Sequence, residues 1–434
     1  LTQNGRSFTV NDPTQAQRAA RPFYGWINAF LLSLIFMATA GFVFYPFSVI
    51  FPVMLKTTGW SRGDASIAVS VATLVGGFLI PLAAKLLNTF GSRKVIILGL
   101  AILLSSLVLL GTVMTKLWHW TLIWGVIMPI GSLLSGPLPS QVNIMYWFNR
   151  KRAMAMGLLM TGAPIGGLFA PPLYTWIMTH MGGWRTGWLL SAGIVFLALI
   201  VSFFIKSKPS DMGQFPDGIP PGAVSDNGEN KPPEPSPIFR TKFVWTLREV
   251  LKTRTIWLLT LANIAQGLTL GIIVNHGVLH LTDVGFSNMN AAFILSAIIM
   301  SSGIIRLPVG WLGDRVEPRW IYCVAIFLML AGFVGFWKAP SFAFLMVLGP
   351  IYGIAYGALL TIAPTLAGNY YGPEVFPSIR GFFGPPVTLL SAAIPTVAGY
   401  AVEKMGSYNE IFLALSILLL LGGVCSAFLS PPNK

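Results

Sequence analysis

Apolar residues fall into long, nearly unbroken runs separated by short polar breaks, and the alternation recurs along almost the whole chain. Runs of about 20 apolar residues are long enough to cross a bilayer as helices, which satisfy their own backbone hydrogen bonds in lipid. Twelve such segments are predicted, over roughly 24–50, 64–87, 93–114, 118–143, 153–177, 185–206, 255–281, 289–313, 318–338, 341–369, 376–402 and 406–430. The longest polar break, 207–240, divides them six and six. It is rich in Pro, Gly, Asn, Asp and Glu and has no apolar period, which predicts a mobile linker. A short amphipathic piece over 243–254 follows, with Lys242, Arg248, Lys252 and Arg254 suited to anionic headgroups as an interfacial helix. The expected architecture is all-α and integral to the membrane: a leader (1–23), a first six-helix bundle (24–206), the linker with its short helix (207–254), a second bundle (255–430) and a tail (431–434). The leader is too hydrophilic for the apolar core of a signal peptide.

Composition excludes a soluble domain, since 54% of residues are hydrophobic, only 10% are charged and mean hydropathy is +0.72. A net charge of +14 would suggest nucleic acid in a soluble protein, but its distribution says otherwise. With the N-terminus inside, Arg6, Arg18, Arg21, Arg93, Lys94, Arg150, Lys151 and Arg152 share a side with eight linker cations and with Arg315, Arg319, Arg380 and Lys434. Lys56, Arg62, Lys116, Arg185, Lys338 and Lys404 fall opposite, leaving Lys85 and Arg306 within spans. This is the positive-inside pattern, with both termini cytoplasmic and a lipid bilayer, not nucleic acid, as the partner. Cys323 and Cys425 stand alone in apolar spans, without disulfide or metal spacing. No Walker A sequence, Cys/His cluster or nucleophile elbow occurs, so no cofactor and no enzyme activity are expected.

The two halves echo each other. The break after the eighth span reads Gly310-Trp-Leu-Gly-Asp314-Arg315-Val-Glu-Pro-Arg319, and the break after the second reads Ala84-Lys-Leu-Leu-Asn88-Thr-Phe-Gly91-Ser-Arg93-Lys94. Six plus six spans with a repeated turn is the layout of a transporter whose two bundles rock about a central site. The chain resembles the major facilitator superfamily, whose signature is the Gly-x-x-x-Asp-Arg turn. It is more specifically similar to a bacterial branch related to monocarboxylate transporters and oxalate/formate exchangers. Tyr24-Gly25-Trp26, Gly59-Trp60-Ser61-Arg62, the run from Trp147 to Gly157, Asp211-Met212-Gly213 through Pro216-Asp217-Gly218, and Arg306 four residues before Gly310 carry that likeness in order. The chain also departs from it. Phe47 stands nearest the monocarboxylate family's lysine in span one, Ser302 replaces its aspartate in span eight, and Val387 stands where oxalate exchangers carry a second cation.

Arg306 is the main candidate for chemistry. Its guanidinium cannot shed charge, and near the bilayer centre it costs roughly 2.5–3.5 kcal/mol on insertion scales. It reads as a carboxylate anchor or as a gate residue in the inner half of its span. One central cation favours a singly charged substrate. Asn275 and His276 lie in the outer half of span seven, where His276 either orients substrate or carries a proton; His280 reads as a solvated interface histidine near Asp283. Asn263 and Gln266 lie deeper, facing a cavity or bonding between helices. Tyr352 and Tyr356, four apart on one helical face, offer hydroxyls or pack, and Tyr45 beside Pro46 has the same two readings. Thr161 belongs to a small-residue stretch that permits bending and, with Gly136-Pro137, Pro139 and Pro385-Pro386, reads as gating and packing.

By the resemblance, Asp314 with Arg315 locks one face, meeting the segment 150–152 that ends at Arg152, while the neutral Asn88 makes a weaker second lock near Arg380. The leading expectation is a monomeric secondary transporter of small organic monocarboxylates in a bacterial inner membrane, linked to protons or exchanging anions. The alternatives are a transporter of a larger aromatic or neutral metabolite or drug, and a transporter-like receptor that uses the linker as a partner site.

Overall fold

The computed structural model describes residues 22–220, 238–338, 340–405 and 407–433. The leader with Arg6, Arg18 and Arg21, the linker's middle (221–237), the side chain of Arg62, and Lys434 lie outside the described residues. The described residues form helices and no strand. Twelve spans follow in order, joined by short turns except between spans six and seven, where the linker intervenes.

Span one is helical over Gly25–Phe36, widens into a π-helical turn over Met37–Gly41, and resumes at Phe47–Thr58 after Tyr45-Pro46. It therefore runs eight residues past the predicted end at 50: Pro52 lies within the helix, and Gly59 at φ +71° ends it. Span two begins at Arg62–Phe78 behind the cap Ser61 and continues to Gly91, where φ +76° turns the chain into span three. Span four passes through Leu117–Leu122, a π-helical turn at Ile123–Ile127, Met128–Ser135 and Pro137–Trp147. Gly136 is extended and the helix restarts at Pro137, so the predicted Gly136-Pro137 bend is a true break. Spans five and six are Arg152–Met181 and Trp184–Ser202.

The second half holds span seven (Arg254–Asp283), span eight (Asn288–Ile304 and Arg306–Gly313, interrupted at Ile305), span nine (Pro318–Lys338), span ten (Phe342–Tyr371), span eleven (Phe376–Met405) and span twelve (Asn409–Ala427). The expected amphipathic helix over 243–254 shrinks to Leu247–Leu251. Thr246 and Glu249 form a capping box that fixes its start, so the preceding residues stay extended.

The first and last described residues and both described arms of the linker meet on one face, the linker side. Gln214 takes the Tyr24 backbone N–H, and the Thr255 hydroxyl donates to the Ser430 carbonyl. Contacts between the halves concentrate toward this side: span five against spans eight and ten, and span eleven against span two. At the seam a Cβ on Gly310 would come within 2.6 Å of the Ala153 carbonyl, and one on Gly157 would strike the Arg306 carbonyl. Such backbone-to-backbone contact, possible only for glycine, brings spans five and eight together.

Candidate substrate site and gate

Arg306 opens the second segment of span eight and is 6% exposed. Its Nε donates to the Ser302 carbonyl (3.1 Å) and its Nη2 to Ser302 Oγ (3.3 Å). Nη1 crosses to the first half and donates to the Met160 carbonyl in span five. Every acceptor is neutral; among the described residues no carboxylate pairs with this guanidinium. The phenols of Tyr45 and Tyr356 share its electrostatic surroundings, one from each half. Ser302, at the position where the family aspartate is missing, thus supplies two neutral acceptors in place of a charge.

A cavity of about 340 Å³ lies beside this seam, walled mainly by spans seven, ten and eleven and closed by Ile80, Pro137, Gln141 and Met160 of the first half. Tyr356 and Gln266 face it, as do Asn263, Thr260 and Arg380. Gln141, which the sequence reading did not single out, is 8% exposed and aims its amide at the Met160 sulfur (3.8 Å). Its only signal was an amide in an apolar helix just after the Gly136 break.

Several candidates lie elsewhere. Tyr352 and Tyr356 do not act as a pair: Tyr352 is fully buried against Phe333, with its hydroxyl unpartnered, while Tyr356 is half-buried at the cavity. The close approach of Gly332 to Tyr352 draws span nine over that ring. Asn275 is exposed and returns its amide to the Gly271 carbonyl. His276 turns to the Tyr408 hydroxyl (3.1 Å) near span twelve, away from the cavity lining. His280 is not solvated; it is 5% exposed, bonds to the Trp337 carbonyl and packs on Phe412. Thr161 bonds within its own helix to Gly157. Phe47 stacks with Phe51 and Trp124, so the position of the family lysine belongs to an aromatic cluster.

The gate is built from backbone amides. Span five follows Lys151 at its N-cap position, which supplies no side-chain cap. Asp314, at the end of span eight, supplies the cap from the other half by accepting from Ala153 N–H (2.8 Å) and Met154 N–H (3.0 Å). Burial pushes its carboxyl up to about 6, while these two N–H groups pull the other way. Arg152 is buried and donates to Asn369 Oδ1 of span ten (2.7 Å). Arg315 instead stacks on Trp311 of its own span. The second lock is Asn88, whose amide donates to Ser378 Oγ (3.3 Å) rather than meeting Arg380.

The linker arms complete this gate, which the sequence reading did not foresee. Asp217, held at φ +58°, accepts from the N–H groups of Asn149, Arg150 and Lys151. Arg240, from the other arm, donates to the Asn149 (2.7 Å) and Arg150 (3.2 Å) carbonyls. Thr241 N–H donates to the Asn369 carbonyl, and Phe239 N–H donates to the Glu317 carboxylate. Arg240 therefore ties an arm that is fastened to the second half to a loop of the first.

The sequence pattern of the Major Facilitator Superfamily matches residues 26–307 and 278–434. The chain belongs to the Major Facilitator Superfamily. It is accordingly a multi-pass membrane transporter and not an enzyme. Among superfamily relatives it is 28% identical over 422 residues to monocarboxylate transporter 13 of Bos taurus, covering 94% of this chain and 90% of that protein. It is 26% identical over 417 residues to monocarboxylate transporter 3 of Rattus norvegicus, covering 93% and 79%. The crystal structure of the superfamily transporter FucP in the outward conformation superimposes with a TM-score of 0.67 at 15% identity, covering 96% of this chain and all of that one. That likeness shows the shared fold.

Proposed function

We propose that this superfamily member is a secondary transporter of small organic monocarboxylate anions, working by alternating access with its linker side in the cytoplasm. One observation carries the reading: Arg306 is a permanent cation buried at the seam of the two halves with only neutral acceptors around it. A buried charge without a counter-charge is costly, and a carboxylate supplies the missing one through paired charge-assisted bonds. The phenols of Tyr45 and Tyr356 stand ready to donate to the same anion. Because Arg306 reaches the Met160 carbonyl across the seam, an arriving carboxylate competes with a gate contact, which would couple occupancy to rearrangement. The names of the similar monocarboxylate transporters support the same substrate class.

Movement is coupled to a proton or to a counter-anion; accumulation driven by a pH gradient, compared with acceleration by anion on the opposite side, separates the two. The test of the substrate class is binding by the purified protein. Monocarboxylates raise its melting temperature by mass action while their amides do not, and Arg306→Gln abolishes the rise. Equal shifts from acids and amides, or a variant that binds acids as the native protein does, would remove the anchor.

A further inference from the structure

Arg380 is the cavity cation that neither the anchor nor the gate uses. It lies in the second turn of span eleven, five residues into Phe376–Met405, and lines the same cavity as Tyr356 and Gln266. Its side chain is exposed, and it faces into this partly open cavity. Among the described residues nothing accepts a hydrogen bond from it. Asn88, the expected partner, is occupied with Ser378. A permanent cation thus faces the cavity with no anion among the described residues to meet it.

The surroundings say what kind of anion fits. Thr260 and Asn263 present polar groups from span seven, while Phe376, Ile379 and Phe383 make the rest of the wall apolar. A strongly hydrated inorganic ion would lose too much water there, whereas a carboxylate on an apolar body satisfies both the guanidinium and the wall. Position completes the argument. Leu270 and Ile256 both line the cavity, so it extends along span seven for about 21 Å at the helical rise of 1.5 Å per residue. Arg380 belongs with Ile256 and Phe376 at the linker-side end.

We infer that Arg380 forms a second carboxylate station, nearer the linker side than Arg306, which the anion occupies between the anchor and the linker-side opening. The inference rests on the proposed carboxylate reading and adds an ordered path to it. Its signature is asymmetry. An anion arriving from the linker side meets Arg380 first, and one arriving from the opposite side meets Arg306 first.

The experiment is saturable flux of butyrate and benzoate in proteoliposomes of known orientation, measured from each face. Arg380→Gln raises the half-saturating concentration from the linker face about tenfold and leaves the opposite face within about twofold. Arg380→Lys recovers part of the loss. Arg306→Gln abolishes flux from both faces. Should Arg380→Gln fail to fold, Thr260→Val and Arg380→Lys must carry the same one-sided effect. Equal effects on both faces, or none, overturn the station while leaving the anchor in place. Succinate binding tighter than butyrate, with Arg380→Gln removing that advantage from both faces alike, also overturns it, because Arg380 would then hold the second carboxylate of a single molecule. A native protein that moves neither acid removes the carboxylate reading itself.

Discussion

Replacing Gly310 by alanine adds one methyl at the closed seam. The new Cβ would lie 2.6 Å from the Ala153 carbonyl and 3.0 Å from Met154 Cα. Both are backbone atoms and cannot rotate aside. Ordinary contact begins at 3.4 Å, so spans five and eight must part by about 0.8 Å. That displacement carries the Asp314 bonds to Ala153 and Met154, now 2.8 and 3.0 Å, beyond hydrogen-bond range. Overpacking costs about 1–3 kcal/mol, and losing a helix cap adds roughly 1 kcal/mol. The linker-side-closed state should therefore lose about 2–4 kcal/mol, a factor of roughly 30 to 1,000 in population. Spin labels placed one on each half at the linker side would report this by electron–electron distance measurement. The expected outcome is a marked gain of the longer distance, with matching entry of a water-soluble thiol reagent from that side. An unchanged distance distribution in a well-folded Gly310→Ala protein would refute the argument that backbone contact at this glycine holds the gate shut.

Other outcomes follow from the same geometry. The Asp314 carboxyl titrates near 6 when closed and near the ordinary carboxylate range once in water, so the closed state binds the proton more tightly. Lowering the pH from 7.5 to 5 should then favour closure on the linker side, and Asp314→Ala should abolish that pH dependence while weakening closure at every pH, both read from the same label distances. Arg240→Ala removes the bonds to Asn149 and Arg150 and should weaken closure by about 1 kcal/mol, roughly fivefold in population, with no loss of melting temperature in either half measured by its own labelled probe. Tyr356→Phe should weaken carboxylate binding about five- to tenfold, whereas Tyr352→Phe, which removes a buried unpartnered hydroxyl, should leave affinity unchanged and stability equal or higher by calorimetric titration and thermal melting.

The spans were legible because lipid leaves the backbone few options: an apolar run of sufficient length must be a helix, and Gly59 and Gly91 mark turns through conformations other residues avoid. Arg306 was legible because a lone charge in such a run has few structural excuses. The partition of Tyr352 from Tyr356 was not, since two residues four apart on one face share a direction but not a neighbour; the approach of span nine at Gly332 decides which ring is covered. His280 looked wet because it lies one turn beyond His276 near a helix end, yet Phe412, more than 130 residues away, covers it. The Arg240 clasp was hidden for the same reason. Nothing local to a polar linker states which loop it will meet, and its carbonyl acceptors carry no side-chain signature.

Span five borrows its first cap from the opposite half, so the helix is complete only while the gate is shut. When the halves part on the linker side, the amides of Ala153 and Met154 lose Asp314 and face water. Those two amides would then take up deuterium at a rate set by gate opening and by the time spent open. Exchange at a helix end thereby becomes a clock for the transport cycle, readable on the unlabelled native protein without knowledge of what it carries.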